Sequence, residues 1–139
     1  MAMTFHLDVV TAEQQLFSGT VEEVIAPGVL GDLGILPRHS QLISKLRAGE
    51  LQYKTTEGTM ASLFVSGGVL EVQPHLVTVL ADTAVRAHDL DEAKILDARR
   101  HAEQTLQNQK ANIDTSAALV ALAESLAQLQ TLQKFKNRA

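Results

Sequence analysis

Cysteine is absent from the 139 residues, which excludes a disulfide framework and thiolate chemistry. No apolar run approaches the ~20 residues that span a bilayer. Basic charge is scarce: twelve Lys and Arg stand against sixteen Asp and Glu, for a net charge of −4. That balance argues against a nucleic-acid binder, which would show a basic stripe. The opening residues MAMTFHLDVV lack the basic and apolar regions of a signal peptide. A cytosolic protein is expected, with no direct membrane insertion and any membrane association made through a partner.

Glycine and proline are also missing from a whole region. All eight glycines and all three prolines lie before residue 75. Charge shifts as well: residues 1–86 carry five Lys and Arg against nine Asp and Glu, while residues 87–139 carry seven of each. The expected organisation is a β-rich domain over 1–86 and a purely helical one over 87–139.

Strand signals recur at short intervals in the first part. Phe5 to Val10, Leu16 to Val24 and Gly49 to Lys54 fit, as does Leu63 to Ala84. Several short strands at this spacing predict an all-β sandwich or barrel of antiparallel strands. No strand alternates with a helix, which argues against a parallel α/β sheet. Within Leu63 to Ala84 we read three strands joined by two tight turns. Gly67-Gly68 offers the positive φ angles of a two-residue hairpin loop, and Pro74 presets the second turn. Leu76 to Ala81 is apolar on both faces, as a covered strand would be.

Pro27 to His39, PGVLGDLGILPRH, reads as a long glycine-punctuated surface loop. It matches neither the Walker pattern nor G-x-G-x-x-G, so nucleotide phosphates are not indicated. Leu33, Ile35 and Leu36 make it too apolar for disorder, and a loop of this kind docks onto something.

In the second part, Asp89 and Glu92 sit three apart before an Ala-rich, charged run, and read as an N-cap with its capping box. The first helix is expected over Leu90 to Gln107, with a break over Asn108 to Asp114. Asp114 or Thr115 would cap the second helix. Leu119, Leu122, Leu126 and Leu129 then form one stripe, with alanines around it. A short connection implies an antiparallel hairpin. Two helices alone bury little, so the stripe has two conceivable resting places and the hairpin is a candidate switch.

Catalytic patterns are not assembled. Ser66 has Phe64 two residues before it, so the G-x-S-x-G elbow fails. The five histidines show no metal-ligand spacing. An enzyme in its own right is not expected, and no metal site is.

The segment Gly31-Asp32-Leu33-Gly34-Ile35-Leu36-Pro37-Arg38-His39 resembles the G-E-L-G-I-x-P-G-H stretch of ε subunits of bacterial F-type ATP synthases. So do VSGGVLEVQP, VLADTA, the Leu90-Asp91 helix start and the helical ending. The likeness covers nearly the whole chain. It implies a non-catalytic rotor subunit linking the shaft (γ) subunit to the membrane c-ring, beside the catalytic β and non-catalytic α subunits. Its place would be peripheral, on the cytoplasmic face of the inner membrane. It implies ring and shaft contacts at Asp32, Leu33, Ile35, Arg38 and His39. Asp32 is one methylene shorter than the family's usual Glu, and Arg38 replaces a Gly. It further implies that the helices restrain ATP hydrolysis when extended, through Leu122, Leu126, Leu129, Lys134, Lys136 and Arg138. Some relatives bind ATP at an [IL]-D-x-x-R-A motif. Here Leu90 and Asp91 match, Lys94 and Ile95 do not, and Lys lacks the fork of Arg. The implied cofactor is none, with weak ATP binding at most. The competing reading is a small nucleotide-binding regulator with a β-domain and a helical lid.

Overall fold

The computed structural model describes residues 3–107 and 115–138. The chain divides into two compact units between Arg86 and Ala87.

The first unit is a nine-stranded β-sandwich. Its strands are β1 (Phe5–Val10), β2 (Gln15–Gly28), β3 (Gly31–Ile35), β4 (Leu42–Leu46), β5 (Gly49–Thr55), β6 (Met60–Val65), β7 (Gly68–Val72), β8 (Leu76–Ala81) and β9 (Ala84–Arg86). The order is β1-β8-β7-β4-β2-β5-β6-β9, with β3 on β2 and a further β1–β2 ladder closing one side. The long β2 makes this possible. Its first half pairs with β1, its last five residues pair with β3, and its other edge meets β5. Alternation places Phe5, Leu7, Val9, Leu51, Leu70, Val72, Val77 and Val79 in one core. Each such side chain contributes about 1.5–3 kcal/mol when fully buried.

Four expectations change here. Pro27 to His39 is not a single loop: β2 continues to Gly28, turns at Val29-Leu30 and returns as β3. Gly67 and Gly68 do have positive φ, but β6 and β7 do not pair, so this is a crossing between ladders and not a hairpin. The crossing is held by the β8–β9 turn, where Thr83 N–H donates to Ser66 Oγ at 2.9 Å and Asp82 N–H to Gly67 O at 3.0 Å. Leu80 is half exposed, so β8 is covered on one face only. Lastly, β4 and β9 are strands that the sequence reading passed over, and β1 runs parallel to β8. The Pro74 turn is as expected, closed by Gln73 N–H donating to Leu76 O at 2.8 Å.

The second unit has a 3-10 turn (Ala87–Asp89) and two helices, α1 (Glu92–Gln107) and α2 (Thr115–Arg138). The N-cap of α1 is Asp91, not Asp89: its Oδ1 accepts from Ala93 N–H at 3.0 Å and Lys94 N–H at 3.4 Å. Asp89 instead lies 3.3 Å from His88. The expected break and the Asp114 cap lie outside the described residues, as does the Thr115 side chain. Lys136 Nζ meets Glu92 Oε2 at 2.7 Å, joining the end of α2 to the start of α1, so the helices run antiparallel. The packed stripe of α2 is Ala118, Leu122, Ser125, Leu129 and Leu132, at spacings of four and three. Leu119 and Leu126, expected in that stripe, are 55% and 39% exposed.

Candidate functional site

The β2–β3 hairpin sets one end of the sandwich. Val29 and Leu30 form its tip, and Leu30 is fully exposed. Across from it lies β4, whose Ile43 side chain is also exposed. Between them is a shallow recess of ≈330 Å³, lined by Leu30, Asp32, Leu33, Leu42, Ile43 and Ser44. Asp32 sits at its rim, and Arg47 Nη2 donates to Asp32 Oδ1 at 2.6 Å. Both groups are about half exposed, so the pair is a local, solvent-screened contact.

The five residues expected to make contacts here divide by position. Asp32 and Arg38 are exposed, Leu33 and His39 are half-buried, and Ile35 is 1% exposed. Ile35 therefore belongs to the sandwich core and supports the hairpin from beneath, without offering a contact surface. Arg38 has φ 64, the left-handed region that glycine adopts without strain. Its N–H donates to Pro74 O at 3.2 Å, tying this turn to the β7–β8 turn. His39 Nδ1 donates to Ser40 O at 2.7 Å, and its backbone N–H closes the turn on Leu36 O. Val29, Leu30 and Ile43 were missed by sequence reasoning. Leu42 and Leu46 on the inward side of β4 turn Ile43 and Lys45 outward, a signal that Ser44 between them masks in the sequence.

Pairing of β1 with β2 also assembles His6, Asp8 and Ser18. Ser18 Oγ donates to Asp8 Oδ1 at 2.7 Å, and His6 Nε2 lies 2.9 Å from the same oxygen and 3.1 Å from Ser18 Oγ. The Ser18 hydrogen bond, then that of His6, holds the Asp8 carboxyl below its ordinary value, against a small opposing effect of burial. This is not a nucleophile relay. The serine proton is directed at the carboxylate and not at the imidazole, so nothing activates the hydroxyl. Among the described residues no group of three His, Asp or Glu is placed to hold a metal ion.

On the helices, Leu122 and Leu129 face the partner helix, while Lys134 and Lys136 are exposed. The Arg138 side chain lies outside the described residues. A surface groove of ≈470 Å³ runs between α1 and α2 near the Glu92–Lys136 pair, lined by Glu92, Arg99, Leu126, Leu129, Gln133 and Lys136 among others. Arg99 Nε donates to Glu103 Oε1 at 2.9 Å within α1. Of the expected ATP contacts, Leu90 is half-buried, Lys94 is exposed, and Asp91 has its carboxylate engaged in capping.

Comparison with known proteins matches both units. Residues 4–87 match the family described as ATP synthase, Delta/Epsilon chain, beta-sandwich domain, and residues 88–133 match its long alpha-helix domain. An ATP synthase epsilon chain of Acinetobacter baumannii (strain SDF) is 56% identical over 136 residues, 98% of each chain. One of Psychrobacter cryohalolentis is 54% identical over 136 residues, covering 98% of this chain and 99% of the relative. Among solved structures, a chain of the Euglena gracilis mitochondrial ATP synthase (OSCP/F1/c-ring) superposes with a TM-score of 0.84 at 19% identity. The match covers 93% of this chain and 81% of that one. A chain of the Tetrahymena thermophila central stalk/c-ring structure gives 0.57 at 14% identity, covering 95% and 96%. At these identities the solved structures speak for the fold alone. No described helix is long and apolar enough to cross a membrane.

Proposed function

The chain belongs to the ATP synthase delta/epsilon chain family, and from that premise we propose that it is a non-catalytic rotor subunit of a proton-translocating F-type ATP synthase. In this reading the sandwich joins the shaft (γ) subunit to the membrane c-ring. The helices restrain ATP hydrolysis by reaching the catalytic β and non-catalytic α subunits. The place of work is peripheral, at the cytoplasmic face of the bacterial inner membrane.

One observation carries the adaptor part: Leu30 and Ile43 are exposed apolar side chains lining one recess, with exposed Val29 next to Leu30 in the hairpin tip and the Asp32–Arg47 pair at the rim. An apolar patch rimmed by charge is the usual form of a protein docking edge. Asp32 and Leu33 stand in that edge, and Arg38 and His39 shape the turn beside it. The latch part is supported by the make-up of the helix seam. The seam mixes Ile95, Leu122, Leu129 and Leu132 with Arg99, Ala102, Ala118 and Ser125, so the small and polar positions reduce the apolar surface it buries per turn. A seam that weak can open at modest cost.

The reading takes no resident cofactor and weak ATP binding at most. Asp91 is committed to its cap, and Lys94 offers one flexible ammonium where a planar fork would grip phosphate. The test is ATP hydrolysis by the assembled enzyme carrying the intact chain against one ending at Ala87. Faster hydrolysis with the short chain, at equal subunit occupancy, is expected. Equal rates would remove the latch and leave the adaptor.

A further inference from the structure

We propose that Glu92 is an internal competitor for Lys136: their ion pair clasps the helical hairpin shut and withholds from an acidic partner surface the cation that the open form presents. The proposal rests on the latch reading above and adds what sets the latch.

Glu92 Oε2 and Lys136 Nζ are 2.7 Å apart and separated by 44 residues in sequence. Each is placed where its own helix favours it, the carboxylate in the first turn of α1 and the ammonium in the last turns of α2. The pair bridges the two helices at the ≈470 Å³ surface groove that both Glu92 and Lys136 line. Both side chains remain just over half exposed. A pair of that exposure biases an equilibrium by roughly 1.4- to 5-fold. That is enough to set the resting population of a weak seam. It is also small enough for carboxylates on another protein to displace Glu92. An acidic surface is the partner chemistry that competes for the same ammonium.

The absence of cysteine makes the test direct. Spin labels on Ala98→Cys and Asn137→Cys, both exposed positions, report the distance between the helices in the full chain. Glu92→Gln is expected to raise the open fraction by roughly 1.4- to 5-fold. The exchange E92K/K136E should be more closed than E92Q but short of wild type, because each exchanged charge opposes the dipole of its own helix end. Lys134→Gln serves as the control, since Lys134 has no ion pair among the described residues, and should leave it unchanged. An unaltered distance distribution in E92Q, or an exchange variant as open as E92Q, overturns the proposal. In the assembled enzyme E92Q should inhibit hydrolysis more strongly than wild type. The two readings fail separately. If truncation at Ala87 speeds hydrolysis but the labels ignore E92Q, the latch stands and the clasp falls. If the labels respond but neither E92Q nor truncation alters hydrolysis, the clasp stands and the latch falls.

Discussion

Gly68→Ala should be far more damaging than a one-methyl change suggests. Gly68 opens β7 at φ +142, and a Cβ there would lie 2.1 Å from Leu80 O and 2.9 Å from Ala81 Cα. Those are backbone atoms of the paired strand, so no rotamer change can make room. Two costs follow. The backbone conformation alone is worth about 1–3 kcal/mol in a non-glycine residue. Separating β7 from β8 at the Gly68–Ala81 pair forfeits one or two ladder hydrogen bonds, at about 0.5–1.5 kcal/mol each. The sum is ~1.5–6 kcal/mol against a typical domain stability of about 5–15 kcal/mol. Even the low end lowers Tm by roughly 6–12 °C for a domain of this size. Gly31→Ala is the matched control. Gly31 also has positive φ (135) but nothing within 4 Å of its would-be Cβ, so it isolates the conformational cost. Calorimetry or circular-dichroism melts of wild type and both variants give the numbers. If G68A melts within about 2 °C of G31A, the close-approach reasoning is wrong.

Arg38→Gly should stabilise the sandwich: relieving φ 64 gains ~1–2 kcal/mol, offset by ~0.4–1 kcal/mol of unfolded-chain entropy, and a lower Tm in a thermal melt would contradict it. Asp8→Asn should lower Tm at neutral pH. Because folding depresses the Asp8 pKa, that contribution is present above the ordinary 3.8 and fades as pH falls through the folded value, so the gap between variant and wild type should close in melts taken below pH 3.8. Asp32→Lys should cost no more than ~1 kcal/mol, the worth of an exposed pair, while placing like charge beside Arg47 at the recess. ATP-driven proton pumping measured against hydrolysis should then show weaker coupling.

What could be read from the sequence depended on how local the cause was. Strand β1 was legible to the residue, because Phe5, Leu7 and Val9 alternate cleanly with His6 and Asp8. Strand β4 was not, since Ser44 stands on its inward side and interrupts the apolar alternation. The β2–β3 hairpin was hidden because its tip is Val29-Leu30, with no Asn-Gly or Asp-Gly to mark it. The crossing at Gly67-Gly68 had the local geometry of a hairpin, and only the choice of ladder partners, made far away in sequence, decided otherwise. On α2, spacings of three and four were satisfied by two overlapping stripes. The selection of Ala118 and Ser125 over Leu119 and Leu126 lies with α1, not with α2 itself. The candidate site was half legible for the same reason. Asp32 and Leu33 carried the family's pattern, whereas Arg47 and Ile43 join the recess only through the sandwich fold, and Glu92 and Lys136 meet only through the helical hairpin.

The parallel ladder between β1 and β8 has a consequence for how the chain is made. His6 pairs with Leu76, so β1 leaves the ribosome well before β8 and waits for it before one of its edges is filled. At 5–20 residues per second that delay is roughly 4–14 s. Its other edge can be taken earlier by β2, a near neighbour in sequence. During the wait the open edge is a template for pairing with other nascent chains. His6 and Asp8 on the outward face put polar side chains beside that edge while it is exposed. Closure by β8 is therefore expected to be a late, non-local step in folding, and the one most sensitive to crowding on the polysome.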